Sequence, residues 1–294
     1  MRRTQTIFAI MTLGLLAYGF YQAIYVAPTE QTMGDIQRIF YYHVPSAWTA
    51  GVMFFINFAA SVVYLVRLSP GLANVSGRVG NAVAAISAIA CLAWPGYSWT
   101  VKFWLTFSVA VIWFLFFRLA KHTSQGRADA WAVSTAEVGT VFCTIVLITG
   151  PLWAKPVWGI WWTWDVRLTT TLVCWMIYVS YLMMRKFSDS SQTATLAAAL
   201  AVFGFLDVPI VYMSIRWWRT QHPAPVFASQ GGTIDPAMRF AVMMNWLAFL
   251  ALAGLLTWMR YTLDRRRQHL SYLHTIEALN VADAHRPVEL KGIR

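Results

Sequence analysis

Residues 151–169 read Pro-Leu-Trp-Ala-Lys-Pro-Val-Trp-Gly-Ile-Trp-Trp-Thr-Trp-Asp-Val-Arg-Leu-Thr, and five of the sixteen tryptophans, Trp153, Trp158, Trp161, Trp162 and Trp164, fall inside this run. Indole combines a flat π face with one polar N–H, so it favours the water–lipid boundary and stacks on flat partners. Tryptophans of an ordinary interfacial belt are scattered over many helix ends. Here they are concentrated and lead straight into Asp165 and Arg167, a pattern that favours a binding surface for a large, flat ligand. Pro151 and Pro156 argue against one smooth helix through the front half of the run. The expectation is an amphipathic aromatic shelf between two apolar segments.

Two histidines extend this chemistry. His43 and His222 flank the shelf in sequence, and imidazole is a standard axial ligand for haem iron. Aromatic faces suit a porphyrin, and guanidinium groups pair bidentately with propionates. Arg216 and Arg219 bracket the Trp217-Trp218 pair and are candidates for such pairing, whereas Arg38 and Arg239 suit lipid phosphates equally well. Asp165 is a favoured residue type for capping the helix expected from Val166 onward. Asp207 sits inside an apolar segment near its outer end, two residues before Pro209. His122, His269, His274 and His285 fall in inner loops or the tail and read as solvated surface.

The elements that must position these residues are membrane spans. Of 294 residues, 58% are hydrophobic and 12% charged, about half the charged share of an ordinary soluble domain. Apolar runs of spanning length recur at about 7–26, 46–66, 82–99, 101–119, 131–150, 168–184, 194–213 and 239–259. The third and fourth share a Pro95-Gly96-Tyr97-Ser98 connection and read as a hairpin. The first is taken as an uncleaved span, because no small-residue cleavage site precedes Pro28. Residues 31–43 have apolar side chains at helical spacing, and Pro45 is expected to start the second span. Basic residues cluster at Arg67, Arg127, Arg185, Lys186, Arg260 and Arg265–Arg267, so the amino terminus and, with an even span count, the carboxyl terminus are expected inside. Even numbers of spans separate His43, the shelf and His222, which places all three on one side, in outer loops. The net charge of +11 then reports cytoplasmic loops rather than nucleic-acid binding. Cys91, Cys143 and Cys174 lie in apolar runs without a CxxC pair, which speaks against thiol–disulfide chemistry.

Trp158-Gly-Ile-Trp-Trp-Thr-Trp-Asp-Val-Arg-Leu-Thr169 resembles the WWD signature of haem-handling membrane proteins, and its Arg-Leu-Thr ending resembles the cytochrome c maturation protein C (CcmC, haem exporter protein C) family. Arg38-Ile-Phe-Tyr-Tyr-His43-Val-Pro-Ser-Ala-Trp48, Asp207-Val-Pro-Ile, Trp217-Trp218, His222 and Ile234-Asp-Pro-Ala-Met-Arg239 resemble its other motifs. The resemblance implies that His43 and His222 are axial ligands of haem b, non-covalently and transiently bound. Trp158, Gly159, Trp161, Trp162, Trp164, Asp165 and Arg167 would form its platform. It also implies haem delivery for c-type cytochrome biogenesis at the periplasmic face of the bacterial inner membrane. The implied partners are the haem chaperone CcmE, the ABC transporter subunits CcmA and CcmB, and the small membrane protein CcmD. Two departures stand out. The family core has six spans, so residues 67–130 read as an inserted two-span hairpin. Asp207 replaces an uncharged polar residue.

The sequence is therefore read as an all-α, polytopic membrane helix bundle of about eight spans with both termini inside. A haem-handling domain over 1–263 is followed by a polar tail over 264–294, expected as a short helix fading into disorder. The protein is not expected to be a chemical catalyst. A membrane electron-transfer protein would place paired histidines within its spans. A haem lyase that attaches haem itself would carry an extra outer domain or an acidic continuation of the WWD motif. Neither pattern is present, and a plain small-molecule transporter leaves the aromatic shelf unexplained.

Overall fold

The computed structural model describes residues 3–68, 85, 89, 122–188, 190, 192–222 and 234–284. The hairpin expected at 67–130, its two spans and Cys91 fall almost wholly outside these residues. Among the described residues the fold is all-helical: α1 (Arg3–Tyr21), α2 (Phe40–Leu68), α3 (Gln125–Trp158), α4 (Val166–Phe187), α5 (Thr193–Gly204), α6 (Asp207–Trp217) and α7 (Pro236–Ala284). A π-helical turn, Gln22–Val26, extends α1, and a 3-10 turn, Asp35–Ile39, leads into α2. Six stretches are long and apolar enough to cross a membrane, with α5 and α6 together forming one of them. The chain is a polytopic membrane helix bundle.

Several boundaries differ from the sequence expectation. Helix α2 begins at Phe40, so Pro45 lies inside it rather than at its start, and His43 belongs to its first turn rather than to a loop. Helix α3 runs without interruption through Pro151 and Pro156 and ends only where Gly159 adopts φ 78°, with its N–H returned to the Lys155 carbonyl. A proline in a spanning helix removes one hydrogen bond, and packed neighbours and hydroxyl side chains compensate for the loss. Trp153 and Trp158 are therefore helical, and the aromatic run is not one continuous shelf. The expected span over 194–213 breaks at Phe205-Leu206, so Asp207 opens α6. At the other end, α7 continues as one helix to Ala284. At 1.5 Å per residue that is roughly 70 Å, well beyond the ~30 Å apolar core of a bilayer. The first part of the tail is thus an extension of the last span rather than a short separate helix.

Helices α2 and α3 are the most intimately packed pair, and α7 lies along both. In lipid, such association depends on close fit and on internal hydrogen bonds more than on expulsion of water. The fit is tight at Gly139, where a Cβ would stand 2.7 Å from the Phe54 ring. Phe54 in turn stacks on Tyr178 of α4 with centroids 3.6 Å apart. Asn57 donates to the Ala132 carbonyl at 2.7 Å, joining α2 to α3. Asn245 donates to the Gly19 carbonyl at 3.0 Å, joining α7 to α1. Toward the end opposite the histidines, Arg185 holds Asp129 through two hydrogen bonds, at 2.8 and 2.7 Å, and Arg260 holds Glu137 in the same bidentate fashion. Removing one partner of either pair would strand a charge in the bundle.

Arg38 has a role the sequence left open. Its guanidinium donates to the Ala23 carbonyl at 2.7 Å, the Ala27 carbonyl at 3.3 Å and Asp35 Oδ1 at 2.9 Å. It clamps the end of the first span to the turn that precedes His43.

Candidate functional site

The carboxyl ends of α3 and α6 and the amino ends of α2, α4 and α7 lie at one end of the bundle. His43 projects from the first turn of α2 and is buried, 9% exposed. This corrects its expected place in an outer loop: the chain places it inside the bundle, at its rim. Its Nδ1 lies 2.8 Å from Thr149 Oγ1 of α3. The Trp153 ring meets the imidazole edge to face at 6.0 Å and also meets Phe40 at 5.9 Å. Thr149 and Trp153 are one helical turn apart, so one face of α3 holds the ring. The sequence reading placed Trp153 in the shelf but gave neither residue this role, because a break expected at Pro151 separated them.

Asp165 fastens the second histidine's segment. It caps α4, as its residue type suggested, with Oδ1 accepting from the Arg167 N–H at 2.9 Å. The same oxygen accepts from Thr220 Oγ1 at 2.7 Å, and Oδ2 accepts from the Gln221 N–H at 2.9 Å. Thr220 Oγ1 receives the His222 N–H at 3.1 Å. One carboxylate thus latches residues 220–222 to the start of α4. Thr220 had no signal in the sequence, since its partner is 55 residues away. The latch brings His222 within charge–charge reach of His43, and Arg167 of α4 is within the same reach.

Arg167 has an unusual environment. Its Nη1 is buried and has no hydrogen-bond partner, and the hydroxyls of Thr163 and Thr169, one on either side in sequence, are in the same condition. Buried polar atoms are normally paired, so a buried guanidinium nitrogen without a protein partner near His43 has the chemistry to take an anion.

The aromatic residues divide into two groups. Trp153 faces inward. Trp161 and Trp164 are 55% and 76% exposed, and Trp162 meets Trp164 edge to face at 5.9 Å. Trp158 is half-buried at the end of α3, and Gly159 supplies the left-handed turn that redirects the chain toward them. Trp217 and Trp218 meet edge to face at 5.7 Å on the exposed end of α6. Arg216 lies 5.5 Å from the Tyr212 ring, and Arg216 and Arg219 are exposed. These four residues form an outer rim and are not drawn into the buried site. Arg239 is exposed in the first turn of α7. Asp207 faces the Cys174 thiol, and both Cys174 and Cys143 are buried free thiols.

Burial alone would raise the Asp165 carboxyl, but hydrogen bonds from Thr220, Gln221, Arg167 and Leu168 outweigh it and hold the group below the usual carboxylate range. A lowered folded-state value means that the latch contributes fully above the ordinary aspartate value of about 3.9 and is lost as the pH falls through the lowered one. Amide exchange in residues 218–222 should therefore be slower in the wild type than in Asp165→Asn at neutral pH. The two should converge only in stronger acid, as the pH falls through the lowered folded-state value and the wild-type carboxylate is protonated. A difference that persists unchanged into acid would show that the carboxylate is not what holds the segment.

The structure is thus a polytopic membrane helix bundle with two imidazoles, an open arginine and clustered tryptophans at one end. The chain belongs to the heme exporter protein C (CcmC) family, whose pattern it matches over residues 101–274. It is 28% identical to Heme exporter protein C of Escherichia coli strain K12 over 272 residues, covering 90% of this chain and 87% of the relative. The protein of the same description from Bradyrhizobium diazoefficiens is 28% identical over 246 residues, covering 83% of this chain and 72% of that one. That of Haemophilus influenzae is 27% identical over 261 residues, covering 88% and 83% respectively.

Proposed function

We propose that the protein binds haem b non-covalently between His43 and His222 at the periplasmic end of the bundle and hands it on for c-type cytochrome biogenesis. Family membership supports haem handling as the task. The observation that carries the site is the buried His43 imidazole, tethered at Nδ1 and within charge–charge reach of both His222 and Arg167. Among the described residues no three His, Cys, Asp or Glu side chains converge as they would to hold a bare metal ion. Two imidazoles suit an iron whose equatorial ligands come from a porphyrin. Bound haem would supply that iron and two anionic propionates. Arg167 Nη1 is open to a propionate, and Trp158, Trp161, Trp162 and Trp164 offer faces and edges to the ring.

The two imidazoles differ in how they are held. His43 is buried between two helices, whereas His222 is half-buried in a segment that the Asp165 carboxylate latches to α4. Freeing residues 220–222 would withdraw one ligand and leave the other in place, which suits transfer to an acceptor that brings its own ligand. The acceptor we assign is the membrane-anchored chaperone CcmE, with CcmA, CcmB and CcmD as companions in the inner membrane. The exposed Trp161, Trp164, Trp217 and Trp218 and the rim arginines Arg216 and Arg219 form the face such a partner would meet. The chain's own residues bind, orient and release, and make or break no covalent bond.

The test is the absorption spectrum of the detergent-purified protein beside a His43→Ala/His222→Ala double variant. The wild type should show a low-spin b-type spectrum that the double variant lacks. An unchanged spectrum in the double variant would sink the ligand assignment.

A further inference from the structure

We propose that Thr149 is a positioning residue that fixes His43 as the Nδ1–H tautomer and so keeps Nε2 bare for iron. A threonine hydroxyl has one hydrogen and two lone pairs. Thr149 lies 2.7 Å from the Ile145 carbonyl of its own helix, a distance at which the hydroxyl hydrogen must point at that oxygen. The carbonyl has no hydrogen to give. Thr149 Oγ1 therefore faces His43 with a lone pair, and at 2.8 Å the imidazole must be the donor. In a neutral imidazole one nitrogen carries the proton and the other does not. With Nδ1 protonated, Nε2 is the acceptor.

The surroundings reinforce the orientation. A Cβ on Gly150 would stand 3.6 Å from His43 Cε1, so the ring edge already lies against the α3 backbone. Trp153 limits rotation from the next turn of the same helix. Thr149, Gly150 and Trp153 together form a socket that presents His43 in one tautomer and one orientation before any ligand arrives. Such outer partners of a ligating histidine orient the ring and raise its basicity.

The tautomer itself requires no haem, so it can be tested separately from the haem-binding proposal on which its significance rests. In haem-free protein labelled with 15N-histidine, in detergent, the His43 signal is identified by its loss in His43→Gln. Wild type and Thr149→Ser should show a protonated Nδ1 and a bare Nε2, and Thr149→Val should lose this pattern. After reconstitution, Thr149→Val should release haem about tenfold faster than wild type, with Thr149→Ser within a factor of about two. An Nε2–H tautomer in the wild type overturns the inference, as does a Thr149→Val protein identical to wild type in both tautomer and release rate. If His43→Gln releases haem at the wild-type rate, both the ligand assignment and the socket's purpose fall. If His43→Gln loses haem while Thr149→Val behaves as wild type, only the Thr149 role falls.

Discussion

His43→Ala should retain less haem than His222→Ala, by about tenfold or more. Removing an outer-shell partner of a metal ligand already costs about 10–100-fold in affinity, and removing the better-held ligand should cost at least as much. His43 is buried between α2 and α3, tied to Thr149 and flanked by Trp153. Its position is already set, so little ordering is needed when it binds a ligand. His222 is only half-buried and belongs to a segment that Thr220 and Gln221 tie to Asp165. His222→Ala should therefore keep a five-coordinate haem on His43, seen as a high-spin spectrum with measurable retention. His43→Ala should purify nearly free of haem. Equal retention by the two single variants, measured as pyridine haemochrome per protein, would contradict the division into a fixed and a releasable ligand.

Arg167→Gln should separate affinity from stability. Its Nη1 is buried without a partner, and an unpaired buried polar group is costly. Replacement by a shorter neutral side chain relieves part of that cost, so the haem-free variant should unfold no more easily than wild type. Haem binding should move the other way. A charge-assisted hydrogen bond to a propionate contributes about 1.5–3 kcal/mol, which is about 10–100-fold in affinity. Wild type should thus prefer haem over its dimethyl ester by about tenfold or more, and the preference should collapse in Arg167→Gln. An undiminished preference would place the propionates elsewhere, with Arg216 and Arg219 the next candidates.

The sequence by itself determined what depends on order along the chain. Hydropathy marked the six spans found among the described residues, because a helix of about 20 apolar residues matches the thickness of the bilayer's hydrocarbon core. Parity of spans brought His43, the tryptophan run and His222 to one end, and the bonds from His43 to Thr149 and from Thr220 to Asp165 join those regions there. Asp165 was legible as a cap because capping is local: donor and acceptor are two residues apart. The motif over Trp158–Thr169 was legible because it is contiguous.

The tertiary structure decided where each side chain faces. A helix turns by about 100° per residue, so continuing α3 through Pro151 carried Trp153 inward, away from Trp161 and Trp164. Starting α2 at Phe40 turned His43 from a loop residue into a buried one. Arg38 found carbonyl partners 11 and 15 residues away. Thr149 and His43 are 106 residues apart, and no local pattern links a threonine in one span to a histidine in another. Their meeting depends on the close packing of α2 and α3, which Gly139 and Phe54 permit, and that packing sets which imidazole nitrogen is left for the ligand.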